Sequence, residues 1–384
     1  MSPTDRSAAE PSAEPPAEPP AEPSDPHDRL QALLDIFLAA HDPAVAGTSL
    51  GGFDMPGVVM HVEAPSAGVR WTGAAGVVER GGTPLAPDAC FRTASVTKTH
   101  VATAVMRLVD RGVLDVHDPA AAHLPDEIVP VLRRLTPHAP DVTVEHLLRH
   151  TSGIYDFGTD ATYRRTIGRE PVKVWSALDL LSIALDHGTP WGPPGETFHY
   201  CDTGYVLLAL VLEHHTGLPF AAALRSLLPF DELGLAATWL EGKEPVPPAA
   251  PARAHQYLGG DDTFGFDPSF DGYGGGGLVS TAAELAVFVR ALVTGDVLSE
   301  RSRAAMLDTC VPTDLGELGQ RCGYGIFSST IDGITRIGHE GFWGIWMYHL
   351  PDHDVTVAGA HTGLPYDATA KRALLHGPVH LLGG

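Results

Sequence analysis

The chain has 384 residues, of which 44% are hydrophobic, so it can bury either one large core or two interlocked ones. Its 47 acidic residues outnumber its 25 basic residues, and the resulting net charge of −22 repels nucleic-acid phosphates and anionic lipid surfaces. We therefore expect no nucleic-acid and no membrane partner. With no apolar run of about 18 residues and no recognisable export signal, we expect a cytoplasmic protein whose four cysteines are free thiols.

The first elements follow a Pro-, Ala- and Glu-rich repeat over residues 1–26, which has almost nothing to bury and is predicted to be a disordered tail. Residues 28–41 have the pattern of an amphipathic helix, and 57–62 and 68–78 the pattern of two strands. A helix is predicted to begin at Ser95, because apolar residues then recur every three or four positions until Arg111 and Gly112 end it.

The middle of the chain is rich in Pro and Gly between short helical patterns, and a longer helix is predicted over 205–215. Near the end, the glycine run 274–277 precedes a Ser280 or Thr281 cap and a helix over 285–293, and 342–350 and 355–360 read as a closing hairpin. These patterns predict a sheet domain formed by residues 27–110 and 275–384, with a helical lobe over 111–274.

A hydroxyl and an amine lie one helical turn apart in Ser95-Val96-Thr97-Lys98. A serine hydroxyl becomes a good nucleophile only when another group accepts its proton, and a lysine whose pKa is lowered by burial can do this. The pattern S-x-x-K also occurs in capped helices with a solvated lysine, so the motif alone decides little. Its significance depends on the other motifs in the chain.

Five motifs follow one another in order: 91–98 (FRTASVTK), 147–153 (LLRHTSG), 194–205 (PGETFHYCDTGY), 276–281 (GGLVST) and 338–341 (GHEG). Together they resemble the serine β-lactamase and penicillin-binding-protein-like family, and most closely its class C β-lactamase, D-alanyl-D-alanine carboxypeptidase and esterase branch. The resemblance runs from about residue 56 to the C-terminus. It implies an α/β (α+β) chain with the β-lactamase/transpeptidase-like fold, in which helices flank an antiparallel sheet and form an additional lobe.

The resemblance also implies roles for particular residues. Ser95 would be the acylated serine and Lys98 its activating partner. Tyr200 matches the tyrosine that acts as general base and general acid in this branch, with Lys98 holding its phenolate.

A third implied motif lies on the strand that lines the cleft. His339 and Gly341 match it, and Gly341 would let the substrate backbone approach closely. The backbone amides of Ser95 and Phe342 would form the oxyanion hole.

One position departs from the family pattern. Where relatives usually have Tyr-x-Asn, this chain has Tyr200-Cys201-Asp202. An ionised aspartate only accepts hydrogen bonds, whereas an asparagine amide both donates and accepts. We therefore hypothesise that Asp202 pairs with Lys98, disfavours acylamino substrates such as penicillins, and favours an ester or a substrate that carries a donor. The alternative is that Asp202 only caps a helix beginning at Thr203.

Other signals are weaker. Ser49 lies in a G-x-S-x-G pattern, but it lacks the preceding strand and following helix of a nucleophile elbow. The histidines lack metal-ligand spacing, and the glycine run lacks the rest of a phosphate loop, so we expect neither a metal nor a cofactor. The sequence thus predicts a serine hydrolase acting on a small ester or amide. An acyltransferase of secondary metabolism and a penicillin-binding-like sensor without turnover are the alternatives.

Overall fold

The computed structural model describes residues 25–41, 55–308, 310–315 and 319–382. The predicted tail, except for its last two residues, and Ser49 lie outside these ranges. The described helices are α1 (Pro26–Ala40), α2 (Thr97–Asp110), α3 (Val129–Leu135), α4 (Val144–Leu148), α5 (Ala161–Arg169), α6 (Ala177–His187), α7 (Asp202–Thr216), α8 (Phe220–Leu227), α9 (Ala282–Thr294), α10 (Glu300–Asp308) and α11 (Ala368–Leu382). The described strands are β1 (Gly57–Ala64), β2 (Val69–Gly76), β3 (Cys90–Arg92), β4 (Trp239–Leu240), β5 (Tyr257–Leu258), β6 (Asp261–Asp262), β7 (Leu278–Thr281), β8 (Val311–Pro312), β9 (Arg321–Cys322), β10 (Phe327–Ile331), β11 (Ile334–Gly341), β12 (Ile345–Leu350), β13 (Val355–His361) and β14 (Gly363–Leu364).

The largest sheet joins both ends of the chain. Its eight strands lie in the order β2-β1-β13-β12-β11-β10-β9-β8, and neighbouring strands are antiparallel. Strand β1 pairs with β13 from Val58 opposite His361 to Glu63 opposite Thr356. The predicted α+β class and β-lactamase/transpeptidase-like fold are confirmed, while the division into two domains stays a prediction.

Alternation along β1 explains how helices cover both faces of this sheet. Val58, Met60 and Val62 pack in one cluster with apolar residues of α1 and α11, whereas Val59 packs in the second, larger core. Because successive strand side chains point to opposite faces, a single run of valines and a methionine can bury itself on both sides. Helix α9 contacts β1, β12 and β13, and helix α2 packs on α7 and α8.

Two sequence predictions differ locally from the structure. The strand predicted over 342–350 begins only at Ile345, because Gly344 has a φ of +85° and its amide donates to the Gly341 carbonyl at 3.0 Å, which makes a tight turn. The helix predicted to begin at Ser95 begins at Thr97, after a 3₁₀ turn over Ala94–Val96. The predicted cap is confirmed, since the Thr281 hydroxyl accepts the Glu284 amide.

Among the described residues, no single helix is long and apolar enough to cross a membrane. Helices α7 and α8 reach that length and composition only as a pair, and they are bent by 72° relative to each other. The four cysteines are free thiols.

Candidate active site

Ser95 is placed where the chain enters helix α2. Across residues 89–106, all of which the structure describes, every residue is buried except Ser95. The preceding residue, Ala94, has a φ of +45°, which a residue with a side chain seldom adopts. A strained turn thus presents one partly exposed hydroxyl at the end of a fully packed helix.

Three oxygen atoms lie within 3.0 Å of the Lys98 amine. Its Nζ lies 3.0 Å from Ser95 Oγ, 2.6 Å from the Gly275 carbonyl oxygen and 2.5 Å from Asp202 Oδ1. The lysine side chain is fully buried, so these contacts replace its hydration. The Gly275 carbonyl oxygen and the Asp202 carboxylate therefore hold the amine beside the Ser95 hydroxyl.

The ionisation of Lys98 differs from the sequence prediction. Burial acts to lower its pKa, but the charge of Asp202, with smaller contributions from Tyr200 and Asp271, outweighs burial and raises the pKa above its usual value. The prediction of a lysine whose pKa is lowered by burial was therefore wrong. Lys98 is an ammonium that donates to Ser95, and it has no free lone pair with which to take the serine proton.

Tyr200 lies beside the same amine, with Lys98 Nζ 5.0 Å from the centre of its ring. Burial raises the pKa of the phenol, Lys98 lowers it and Asp202 raises it again. The pKa ends above its usual value. Burial and Asp202 thus oppose the phenolate that the resemblance implies, whereas Lys98 favours it, and the role of Tyr200 stays a prediction.

Asp202 occupies the first residue of helix α7 and does not cap it. Its carboxylate pairs with Lys98, while its own backbone amide donates to Asp156 Oδ1 at 2.8 Å. The helix begins one residue earlier than Thr203 and has no side-chain cap at Cys201. The predicted pairing of Asp202 with Lys98 is present, and the alternative of a purely local cap is not.

Two further carboxylates lie close to this pair, and the motif reading missed both. Burial and the charge of Asp202 raise the pKa of Asp156 to about 7, and the same two causes raise the pKa of Asp271 to about 7. Asp156 closely follows the LLRHTSG motif and Asp271 precedes the glycine run, so adjacency to motifs was the only available signal. Clustered groups with shifted pKa values are typical of functional sites.

The third motif lies on strand β11. His339 is buried, with Nδ1 2.6 Å from the Glu340 carbonyl oxygen, and burial followed by the charge of Lys98 lowers its pKa to about 3. A Cβ atom at Gly341 would overlap the Thr93 carbonyl oxygen, so the close approach that requires this glycine is to the chain's own backbone. Phe342 lies in the following turn with an exposed side chain, and the oxyanion hole stays a prediction.

Two other sequence interpretations concern this region. The Cys201 thiol is buried and its pKa is raised by burial, as expected for an inert thiol. In the part of the chain that the structure describes, no three His, Cys, Asp or Glu residues are arranged to hold a metal ion.

The chain is similar to several known proteins. The family model described as Beta-lactamase matches residues 51–377. Penicillin-binding protein 4 of Amycolatopsis lactamdurans is 37% identical over 167 residues, which cover 42% of this chain and 39% of that protein. Esterase EstB of Burkholderia gladioli is 35% identical over 202 residues, which cover 50% of this chain and 49% of that protein.

Among solved structures, the D-stereospecific amidohydrolase from Streptomyces sp. superposes with a TM-score of 0.75 at 25% identity, covering 91% of this chain and 98% of that one. The chain therefore spans less than half the length of the two curated relatives, but nearly the whole length of the similar structure.

Proposed function

Because the chain belongs to the beta-lactamase family, we propose that it is a serine hydrolase that cleaves an ester or amide through a covalent acyl intermediate on Ser95. The observation that carries this proposal is the contact of Ser95 Oγ with Lys98 Nζ at 3.0 Å, in a stretch where Ser95 alone is not buried. A hydroxyl held by a cation and accessible to a ligand is the arrangement that nucleophilic catalysis requires.

The ionisation states favour a neutral proton shuttle in the acylation step. Ser95 Oγ bonds to the carbonyl carbon while its proton passes to Tyr200 Oη, and the phenol passes its own proton to the leaving oxygen or nitrogen as that bond breaks. Neither a neutral lysine nor a phenolate is needed. The Lys98 ammonium orients the serine lone pairs, and the amides of Ser95 and Phe342 are the proposed donors to the oxyanion.

Release of the acyl group runs the same shuttle in reverse. An acceptor gives its proton to Tyr200 as it attacks the ester carbonyl, and the phenol returns a proton to Ser95 Oγ. If the acceptor is water, the enzyme is an esterase or amidase or, on a peptide, a carboxypeptidase. If it is an amine or alcohol, the enzyme is an acyltransferase.

We propose that the substrate is a small molecule and that the protein meets it in the cytoplasm. Fluorescence microscopy of the tagged chain tests this location.

Asp202 supports a particular class of substrate. Asp202 contacts the Lys98 amine, and Asp156 and Asp271 lie near enough to interact with its charge, so a substrate group facing these three carboxylates gains by donating hydrogen bonds. A substrate with an amine or another donor near the scissile carbonyl fits this charge, whereas the acylamino carbonyl of a penicillin meets a second acceptor. We therefore propose a donor-bearing ester or amide.

The decisive experiment is intact mass spectrometry after treatment with a fluorophosphonate probe. We expect one adduct on the wild-type chain, none on Ser95→Ala and one on Ser152→Ala, a buried serine in the LLRHTSG motif. Absence of an adduct on the wild type overturns the enzyme proposal. With a p-nitrophenyl ester, a transient acyl adduct supports turnover, and a permanent one supports a sensor instead. Faster release with added amine acceptors identifies an acyltransferase.

The substrate class has its own test. Asp202→Asn removes a negative charge and restores a donor, so acylation of Ser95 by a fluorescent penicillin should become at least about tenfold faster. Asp271→Asn is the matched control, because it removes a neighbouring charge without altering the Tyr-x-Asp motif. No increase with Asp202→Asn, or an equal increase with both variants, contradicts the assignment of Asp202 to substrate choice.

A further inference from the structure

His150 contacts three consecutive residues around Tyr200. Its carbonyl oxygen accepts the His199 amide at 2.8 Å, and its ring nitrogen Nδ1 accepts the Cys201 amide at 3.0 Å. Between these bonds its ring stacks on the Tyr200 ring, with centroids 4.3 Å apart and planes 25° apart. One residue thus holds the residue before Tyr200, the residue after it, and the tyrosine ring itself.

We propose that His150 is the positioning residue for Tyr200, a clamp that fixes the phenol ring beside the Lys98 amine, from where it exchanges a proton with Ser95. This inference rests on the proposed function, since it assigns to His150 an effect on the reaction only through Tyr200. The proposed acylation step gives no other role to the LLRHTSG motif that contains His150.

The need for such a clamp follows from the local backbone. Residues 188–201 contain no helix or strand, so no backbone hydrogen bonds within an element fix the segment that leads up to Tyr200. Tyr200 immediately precedes the N-cap of α7, where a small change in the chain direction would move the phenol. Since an error of about 1 Å in the position of a reacting group can cost on the order of 10²-fold in rate, contacts from another segment have to supply the precision.

The identity of the clamping residue follows from its hydrogen bonds and its backbone. Accepting the Cys201 amide requires a bare Nδ1, which places the ring proton on Nε2. Burial and the charges of Lys98 and His339 lower the pKa of His150 well below its usual value, so the acceptor persists at neutral pH. His150 also has a φ of +59°, a conformation that glycine and asparagine adopt easily and most other residues do not.

These constraints define a matched pair of variants. His150→Gly removes the ring and its acceptor without backbone strain, whereas His150→Asn keeps an acceptor oxygen near the Nδ1 position and also tolerates the positive φ. We expect fluorophosphonate labelling of Ser95 to slow on the order of 10²-fold in His150→Gly and about tenfold in His150→Asn. The KM for p-nitrophenyl acetate should change less than about threefold in both, because the clamp acts on a reacting group.

A double-mutant cycle separates positioning from general structural support. In a Tyr200→Phe background the phenol is already gone, so adding His150→Gly should slow labelling by less than about threefold. An equal loss in the wild-type and Tyr200→Phe backgrounds overturns the inference, as does an unaffected rate in His150→Gly. His349→Asn, which removes another buried imidazole bonded through Nδ1 to a threonine, is the folding control and should label at the wild-type rate.

The same series distinguishes failure of the clamp from failure of the proposed function. If Ser95→Ala still labels, or if Tyr200→Phe labels at the wild-type rate, the proposed function fails. If Ser95 and Tyr200 behave as proposed while the His150 and Tyr200 effects are additive, only the clamp fails. Circular dichroism melting of each variant confirms that folded protein is compared.

Discussion

Strand β11 separates two buried lysines that look alike as ion pairs. His339 on this strand lies on the side of Lys98, and the next residue, Glu340, pairs with Lys371 of helix α11. Lys98 meets Asp202 at 2.5 Å and Lys371 meets Glu340 at 2.7 Å, and the two lysine side chains are 0% and 5% exposed. Distance and burial alone therefore do not tell a structural pair from a functional one.

The balance of charge does tell them apart. Burial would raise the pKa of Glu340, but Lys371 lowers it below its usual value, and the Tyr348 hydroxyl donates to Glu340 Oε1 at 3.0 Å. Around Lys98 the charges are not balanced, because one amine faces three carboxylates. Asp202 is paired with it, and the pKa values of Asp156 and Asp271 are raised to about 7. A pair that neutralises itself supports the fold, whereas a group of charges left unbalanced beside a nucleophile indicates chemistry.

Replacing each lysine by methionine tests this difference most directly. Lys98→Met should slow fluorophosphonate labelling of Ser95 by at least about 10³-fold, because the ammonium that orients the hydroxyl and faces the phenol is lost. In the Lys371→Met variant, the rate of Ser95 labelling per folded molecule should stay within about threefold of the wild-type rate. Similar rates for the two variants would mean that the Lys98 pair is structural too.

The sequence motifs named Ser95, the proposed nucleophile, together with its neighbours, because these residues lie close together in the chain or within one motif. Ser95 and Lys98 are one turn apart, and Tyr200 and Asp202 share one motif. Their ionisation could not be predicted in the same way. The pKa of Lys98 depends on Asp202, which is more than a hundred residues away in sequence and reaches it only through the packing of α2 against α7.

Backbone details set a second limit on prediction. Gly341 was interpreted from its motif as an opening for substrate, but its missing side chain is required by the contact of β11 with Thr93. The antiparallel sheet was implied by the family resemblance, whereas the turn at Gly344 was hidden inside an apolar run. Periodicity indicates which face a residue takes, but not where one strand stops and turns.

Removing a charge should have opposite effects on stability at the two sites. Lys371→Met should lower the unfolding free energy, and Asp156→Asn, near Lys98, should raise it. Lys371→Met leaves the Glu340 carboxylate without its partner, and because that side chain is partly exposed we expect a loss of about 2–3 kcal/mol in unfolding free energy at pH 7. A depressed pKa contributes stability that is present above the unfolded value near 4.3 and disappears as pH falls through the folded value. Urea titrations should therefore find a smaller loss at pH 3.5 than at pH 7. A loss independent of pH would show that Lys371 stabilises the fold through its packing and not through its charge.

Asp156→Asn should have the smallest effect and the opposite direction. The folded pKa of Asp156 is raised to about 7, so the folded state holds a proton that the unfolded state releases, and wild-type stability falls as pH rises from about 4 to about 7. Asparagine stays neutral, and its Oδ1 can still accept the amides of Asp202 and Gly158, which now contact Asp156 Oδ1 at 2.8 Å and 3.1 Å.

We therefore expect Asp156→Asn to stabilise the fold by about 1–2 kcal/mol at pH 8, with the gain shrinking toward zero near pH 4. Asp126→Asn, at an exposed position, should show no such pH-dependent gain. If Asp156→Asn is less stable than wild type at pH 8, then neighbouring groups offset the cost of burying the ionised Asp156 carboxylate. The contrast between a balanced pair at Lys371 and an unbalanced cluster at Lys98 would then lose its physical basis, because Asp156 would be stabilised as Glu340 is.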